Sequence, residues 1–419
     1  MEEVKTKKRI WLRVLCIVLA SIIFLLAAAG ITVYCVWANE INTVASFTKI
    51  RERNDAHKDG AVYRMDVSGG FYFDEFLKEG ASNDKELISF ITRNVTKGLL
   101  GNMGIGETDI GCSSFTAVTE SGDRLFARNY DFDKTNVCLT ICDPGNGRHK
   151  SFSTVDLNFV GMDPEEDVEG LMNKITCLAA PFTPLDGIND AGLSCGIYMS
   201  YQGTENAATD ERNAEKGNIT STTMLRMVLD YASTVEEAVD LIKKYNLHDS
   251  ANTSFHYMIA DATGKSAILE WVPVGGTDAT DNDGTARNLK VYYNDDDAIL
   301  GEREKNCEFQ WITNFILTPH YYDGLEEEMH GKDRYDDIYS LINKDGTNSA
   351  GIIKDEQAAM DILAYVGRRN YKEGDGVTVH SVVYNLTQKT AFWVTNENYG
   401  DKSACFEYSL KTGELKQLG

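Results

Sequence analysis

The first pattern along the chain is a charge boundary. Lys5, Lys7, Lys8, Arg9 and Arg13 precede a stretch, residues 14–37, that carries no charged side chain. A helix of that length reaches roughly 36 Å, enough to cross a hydrocarbon layer about 30 Å thick. Basic residues on the leading side predict residues 1–13 as a cytoplasmic tail and 14–37 as a single-pass transmembrane anchor, with the rest of the chain outside the cell membrane. A cleaved signal peptide ending near Val36-Trp37-Ala38 is the rival and would leave a secreted protein, but its apolar region is normally about 7–15 residues. Residues 38–60, dense in charge, read as a solvated linker.

Behind the linker, Leu87, Ile88, Ile91, Val95 and Leu99 recur at helical spacing and predict a helix. GNMGIGETDIG, ending at Gly111, then reads as a flexible connector. From Cys112 the pattern shifts to short apolar runs divided by turns. CSSFTAV, the turn TESGD and RLFARNYDF predict a hairpin. SCGIYMSYQ, FHYMIAD, SAILEWV, LKVYYN, VHSVVYNLT and TAFWVT predict further strands, with helical stretches near 221–231, 235–244, 334–341 and 355–366. Helices arriving in pairs between runs of strands point to an α+β fold: stacked antiparallel sheets with helices on their outer faces.

Composition narrows the function classes. With 42% hydrophobic and 25% charged residues the chain can bury a core. Its 41 Lys and Arg stand against 64 Asp and Glu, a net charge of −23, which argues against nucleic acid as a partner. Of nine cysteines, Cys16 and Cys35 fall in the apolar span. The others (Cys112, Cys138, Cys142, Cys177, Cys195, Cys307 and Cys405) are odd in number, so an exported chain keeps at least one thiol unpaired or intermolecular. Cys138 and Cys142 are close enough for a local disulfide, which sequence alone does not establish.

Several motifs fail on inspection. Gly264-Lys265-Ser266 lacks the leading glycine of a phosphate loop, since Ile259 stands there. DNDGT lacks the first and last ligands of a calcium loop, with Ala279 and Lys290 in their places. Gly104 and Gly106 lack the third glycine of a dinucleotide fingerprint. There is no HExxH.

One stretch keeps its chemistry. The predicted hairpin places Cys112 at the start of one arm and Arg128 and Asp131 near the end of the other. A guanidinium beside a thiol favours the thiolate, the form that attacks carbonyl carbon. By residue type alone, a buried structural cysteine beside an ordinary ion pair explains the same pattern.

The stretch resembles the choloylglycine hydrolase family of linear amide C–N hydrolases, within the N-terminal-nucleophile superfamily that includes bile salt hydrolases, penicillin V acylases and the acid ceramidase group. Cys112, Gly122-Asp123 and ARNYD (127–131) are similar to the family's opening. DGINDAGLSCG with Asn189, the strand pair ending in Glu270, WITNF with Asn314, KDRYDDI with Arg334 and HSVVYNLTQKTAFW follow in the family's order. The resemblance implies a four-layer αββα sandwich over residues 112–419, with 38–111 a linker and pro-segment. It implies cleavage between Gly111 and Cys112, autocatalytic, with Ser113 and Ser114 as wrong-register alternatives. The freed α-amine, of reference pKa about 7.7–8.0, would then be the base for its own thiol.

By the same resemblance Asp131 would orient the amine and Arg128 would lie beside the thiolate. The Asn314 side chain and the Asn189 backbone N–H would form an oxyanion hole, with Arg334 supporting the site. The implied activity is hydrolysis of an N-acyl small-molecule amide through a cysteine thioester, with no metal or organic cofactor. Acyl specificity stays open, and so does assembly into a homo-oligomer. Unlike the bile salt and penicillin enzymes, this chain places a long segment ahead of the cysteine, as the acid ceramidase group does, and residues 60–111 are expected to pack on the domain. A binding module or dormant precursor that keeps the fold is the alternative. A papain-like protease using His256 or His380 is a third reading, and it lacks the Cys-Gly-x-Cys-Trp context.

Overall fold

The computed structural model describes residues 2–54, 58–98, 111–201, 213–251, 253–273, 287–295, 301, 303–322, 326–371 and 376–419. Leu99 of the expected helix, the glycine-rich connector up to residue 110, and the DNDGT segment with Ala279 lie outside these residues. The first element, α1 (Glu2–Ser46), is one long helix with a kink at Trp37. Among the described residues it is the one helix long and apolar enough to cross a membrane, and its apolar stretch is not buried by the rest of the chain. A signal sequence meets the same description.

The linker expected at 38–60 takes another form. The last turns of α1 are capped onto the domain: Thr43 Oγ1 accepts from the Ser68 N–H at 3.2 Å and Ser46 Oγ from the Asp66 N–H at 2.9 Å. Phe47 stacks on Tyr63 with ring centroids 5.0 Å apart. Charge density misled here because Arg51 and Asp59 are paired with each other at 3.1 Å, and buried Asp59 also accepts from Asn398 at 2.8 Å.

Next come β1 (Thr48–Arg51), β2 (Val62–Ser68), α2 (Phe73–Glu79) and α3 (Asp84–Asn94). Asn83 caps α3 by accepting from the Glu86 N–H, and Leu87, Phe90 and Ile91 form its buried face. The hairpin is β3 (Gly111–Thr119) and β4 (Arg124–Phe132), turned at Gly122, whose φ of 91° suits a residue without a Cβ. It leads to β5 (Val137–Asp143), β6 (Ser151–Asp156), α4 (Gly170–Thr176), β7 (Asp186–Asn189) and β8 (Ser194–Met199). Then follow β9 (Gly217–Thr220), α5 (Ser221–Tyr231), α6 (Val235–Ile242) and β10 (Tyr245–His248). β11 (Phe255–Ala260), β12 (Ser266–Pro273), β13 (Arg287–Tyr293) and β14 (Trp311–Ile312) precede α7 (Lys332–Ile342). The chain closes with β15 (Ile352–Ile353), α8 (Glu356–Tyr365), α9 (Arg368–Tyr371), β16 (Val377–Asn385), β17 (Thr390–Thr395), β18 (Cys405–Ser409) and β19 (Glu414–Gln417).

Two large sheets result. One runs β1-β2-β5-β6-β7-β8-β11-β12-β13, the other β14-β3-β4-β16-β17-β18-β19 with β15 beside β3. Both are antiparallel except where β2 joins β5 and β15 joins β3. The parallel join matters: β2, from ahead of Cys112, is a strand of the same sheet as β7, β8 and β11. The Phe73, Phe76 and Phe90 rings from α2 and α3 surround Phe182 at 5.8–6.2 Å. The segment before the cysteine is therefore part of the core.

Helix α5 lies on β7 and β8, while α7 and α8 lie on the sheet of β3, β4 and β16. Between the sheets, Phe152 stacks on Tyr408 at 4.8 Å and meets Tyr384 edge-on at 6.4 Å. This is α+β with two sheets face to face. Strand alternation on β4 sorts its side chains: Arg128 and Tyr130 point to the facing sheet, while Asn129 Nδ2 donates to the Leu363 carbonyl of α8 at 2.8 Å.

Candidate active site

The β3–β4 register sets Cys112 opposite Tyr130 and Gly111 opposite Asp131. Cys112 is fully buried. Its Sγ takes a hydrogen bond from Arg128 Nη2 at 3.5 Å and lies 3.8 Å from the Ile197 carbonyl on β8. Its backbone is gripped at both polar atoms. The N–H donates to Asn314 Oδ1 at 2.9 Å, and the carbonyl accepts from Arg334 Nη1 at 3.0 Å.

Arg128 spans the gap between the sheets. Nη2 donates to the Ile197 carbonyl at 2.6 Å, Nη1 donates to the Leu185 carbonyl, and Nη1 pairs with Asp186 at 3.2 Å. Tyr198 lies under the guanidinium at 4.9 Å. Asp186 is held in turn by His380 Nε2 at 2.8 Å and by the Tyr384 hydroxyl at 2.5 Å. Burial alone would raise the Asp186 carboxyl, but His380 and Arg128 outweigh it and hold it below the usual carboxylate range.

Arg334, the third residue of α7, reaches in from the other side. It donates to Asp131 Oδ2 at 2.9 Å and to Asn314 Oδ1 at 2.9 Å. Thr378 donates to the other Asp131 oxygen at 2.6 Å. Because Asn314 Oδ1 takes both the Cys112 N–H and Arg334, its amide orientation is fixed, and Nδ2 faces the Met199 carbonyl at 2.9 Å. Gly111 is tightly placed: a Cβ there would sit 2.9 Å from Asp131 Oδ2 and 3.0 Å from Arg368 Nη1.

The structure thus gathers Cys112, Arg128, Asp131, Asn314 and Arg334 into one bonded cluster. Asn189 is not in it. Its N–H donates to the Leu193 carbonyl at 2.9 Å and its side chain to the carbonyls of Leu229 and Ala232. It stands at the turn end of the β7–β8 hairpin, where Asp186 is opposite Gly196, whereas the far end of β8 meets the cysteine. The expected backbone donor to an oxyanion is thereby engaged elsewhere. The position facing Asn314 is Met199, which the sequence did not flag because its part is played by the main chain.

A second correction concerns the thiol. Burial pushes Cys112 up from its ordinary value, Arg128 draws it back, and Asp131 pushes it further; the balance is upward in the uncut chain. Neither His256 nor His380 hydrogen-bonds the sulfur. His256 faces Thr313 and Glu270, and His380 Nε2 faces Asp186. The described cysteines, Cys138 and Cys142 included, are all unpaired. Among the described residues no group of three His, Cys, Asp or Glu side chains is arranged to hold a metal.

Beside the cluster a small cavity of about 20 Å³ is lined by Arg128, Tyr130, Leu185, Ile197, Met199 and Phe255 among others. Its walls are almost wholly apolar. A cysteine thiol beside a cation, with a carboxamide alongside and apolar side chains next to them, is an arrangement that can perform acyl transfer.

Residues 112–282 match the linear amide C–N hydrolases, choloylglycine hydrolase family, a match that begins at Cys112 itself. The bile salt hydrolase/transferase of Clostridium perfringens is 29% identical over 175 residues, covering 38% of this chain and 47% of that protein. The chain therefore matches about half the length of that relative. Among solved structures, a conjugated bile acid hydrolase from Clostridium perfringens has 17% identity and a TM-score of 0.46, covering 74% of this chain and 96% of the other. Penicillin V acylase from Agrobacterium tumefaciens has 16% identity and a TM-score of 0.43, covering 74% and 92%. Over residues 112–282, then, the chain is similar to the choloylglycine hydrolase family of linear amide C–N hydrolases.

Proposed function

We propose that this protein hydrolyses the amide bond of an N-acyl small molecule through a thioester on Cys112, after the chain is cut between Gly111 and Cys112. One observation carries the reading. Cys112 has its sulfur on Arg128 and both backbone polar atoms held by Asn314 and Arg334, at the first residue of the family match.

In the uncut chain the Cys112 nitrogen is an amide and accepts no proton. Attack of Sγ on the Gly111 carbonyl would transfer the acyl group from nitrogen to sulfur. Water would then release the Gly111 carboxylate and leave a free Cys112 α-amine. Glycine at that position leaves the carbonyl unobstructed where any Cβ would meet Asp131. In turnover the α-amine takes the thiol proton, sulfur attacks the substrate acyl carbon, and the amine product leaves with that proton; water then cleaves the thioester. Asn314 Nδ2 donates to the oxyanion of each tetrahedral intermediate, an interaction whose loss typically costs about 10²–10³ in kcat. The apolar side chains around the small cavity, Leu185, Ile197, Met199 and Phe255, form the face against which the acyl group packs. The exposed apolar length of α1 anchors the protein in the cell membrane with the hydrolase outside, and β2, α2 and α3 stay in the core after the cut.

The test is to purify the full chain in detergent, sequence its N-termini, and assay a panel of acyl–amino acid conjugates. A fragment beginning at Cys112 is expected to carry the activity, and Cys112→Ala is expected to be neither cut nor active. Equal turnover by the uncut polypeptide overturns the mechanism.

A further inference from the structure

Asn314 lies two residues beyond a strand of only two residues, on a loop that no sheet holds. What fixes that loop is a buried pair from the opposite sheet, Glu270 on β12 and His256 on β11, both with no exposed side-chain surface. Glu270 Oε1 accepts from the Leu317 N–H at 2.7 Å. Its Oε2 accepts from the Thr318 N–H at 2.8 Å and the Thr318 hydroxyl at 2.7 Å. His256 Nε2 faces the Thr313 carbonyl at 2.9 Å, and Nδ1 faces Glu270 Oε1 at 3.1 Å. One end of the loop, Thr313, is therefore tied to the imidazole, and the other, Leu317 and Thr318, to the carboxylate. Asn314 lies between them.

A carboxylate withdrawn from water is costly unless its lone pairs are filled. Here three donors of the Asn314 loop fill them, with His256 Nδ1 beside Oε1. Neither Glu270 nor His256 touches Cys112, and neither takes part in the reaction described above. We propose that Glu270 and His256 are positioning residues that hold Asn314 Nδ2 where the oxyanion forms. The inference rests on the acyl-transfer reading of the site. It predicts damage confined to the step that develops an oxyanion, with the nucleophile left intact. Glu270→Gln keeps the shape but turns an amide NH₂ toward donors that need an acceptor, so the loop loses one of its ties.

The experiment compares wild type, Glu270→Gln, His256→Asn, Asn314→Ala and Glu270→Gln/Asn314→Ala, each as the full chain after cutting. Two rates are read: amide hydrolysis, split into kcat and KM, and alkylation of Cys112 by iodoacetamide, which forms no oxyanion. Glu270→Gln is expected to lower kcat by about 10–10²-fold, approaching the about 10²–10³-fold expected on losing the donor itself. KM and alkylation should stay within about threefold. The double variant should be no slower than Asn314→Ala, since both changes remove one interaction. Full multiplication of the two losses, or equal loss in alkylation, overturns the proposal. His256→Asn carries the same readouts if Glu270→Gln does not fold. An inactive cut wild type would instead sink the amidase reading, so the two failures are told apart.

Discussion

Arg128 and Arg334 are both buried, both ion-paired, and both bonded to Cys112, yet they hold opposite sides of it. Arg128 meets the sulfur, and its counter-ion Asp186 belongs to the facing sheet. Arg334 meets the carbonyl oxygen, and its counter-ion Asp131 belongs to the cysteine's own hairpin. One cation therefore acts on the group that reacts, and the other on the backbone that aims it. The difference is visible in the thiol itself: Arg128 is the main influence drawing Cys112 back from the rise caused by burial, and Arg334 contributes less.

Removing the sulfur-side cation should do the most damage. Arg128→Met is expected to cut kcat by about 10²–10³-fold, the range seen when one preorganised electrostatic partner is lost. It should also move the alkylation of Cys112 to higher pH, because the thiolate loses its nearest positive charge. Asp186 would keep only His380 and Tyr384, so stability should fall by about 3–5 kcal/mol, read by denaturant melts. An unmoved alkylation profile would show that Arg128 merely bridges the sheets.

These two arginines also mark what sequence could and could not show. Cys112, Arg128 and Asp131 share one hairpin, so their proximity follows from a turn at Gly122 and a strand period of two. Asn314 and Arg334 come from distant segments and were reached through resemblance, because no local pattern brings residue 334 to residue 112. Asn189 was misplaced for a related reason: it shares a hairpin with the strand that meets the cysteine, but at the turn end. The buried network of Asp186, His380 and Tyr384 was illegible, since each looks like an ordinary strand residue until two sheets face one another. The capping of α1 onto β2 was hidden because paired charges and solvated charges read alike in a sequence.

Arg334→Met sharpens the comparison from the backbone side. It frees the Cys112 carbonyl, Asp131 Oδ2 and Asn314 Oδ1 together. Loss of alignment on the order of 1 Å can cost about 10²-fold, so kcat should fall by about that much. The alkylation profile of Cys112 should shift far less than in Arg128→Met. Equal shifts in the two variants would erase the distinction between a cation that acts on sulfur and one that aims it.

The smallest expected effect lies one bond beyond Arg128. Tyr384→Phe deletes the hydroxyl that donates to Asp186 Oδ1 while leaving the ring against Phe126 and Phe152. Such a bond to a charged group contributes about 1.5–3 kcal/mol, so a modest drop in stability at neutral pH follows. The pH dependence carries more information than the size. Asp186 is held below its unfolded value of about 3.9, so its contribution is fully present above that pH and is lost as pH falls through the lower folded value. Without the Tyr384 hydroxyl the folded value rises toward the unfolded one, and the acid-unfolding midpoint should move to higher pH. Arg128 still has its counter-ion, so kcat should fall by no more than about threefold. A large loss of kcat with an unmoved acid midpoint would mean that Tyr384 acts on the sulfur side directly, and the division between the two arginines would have to be drawn elsewhere.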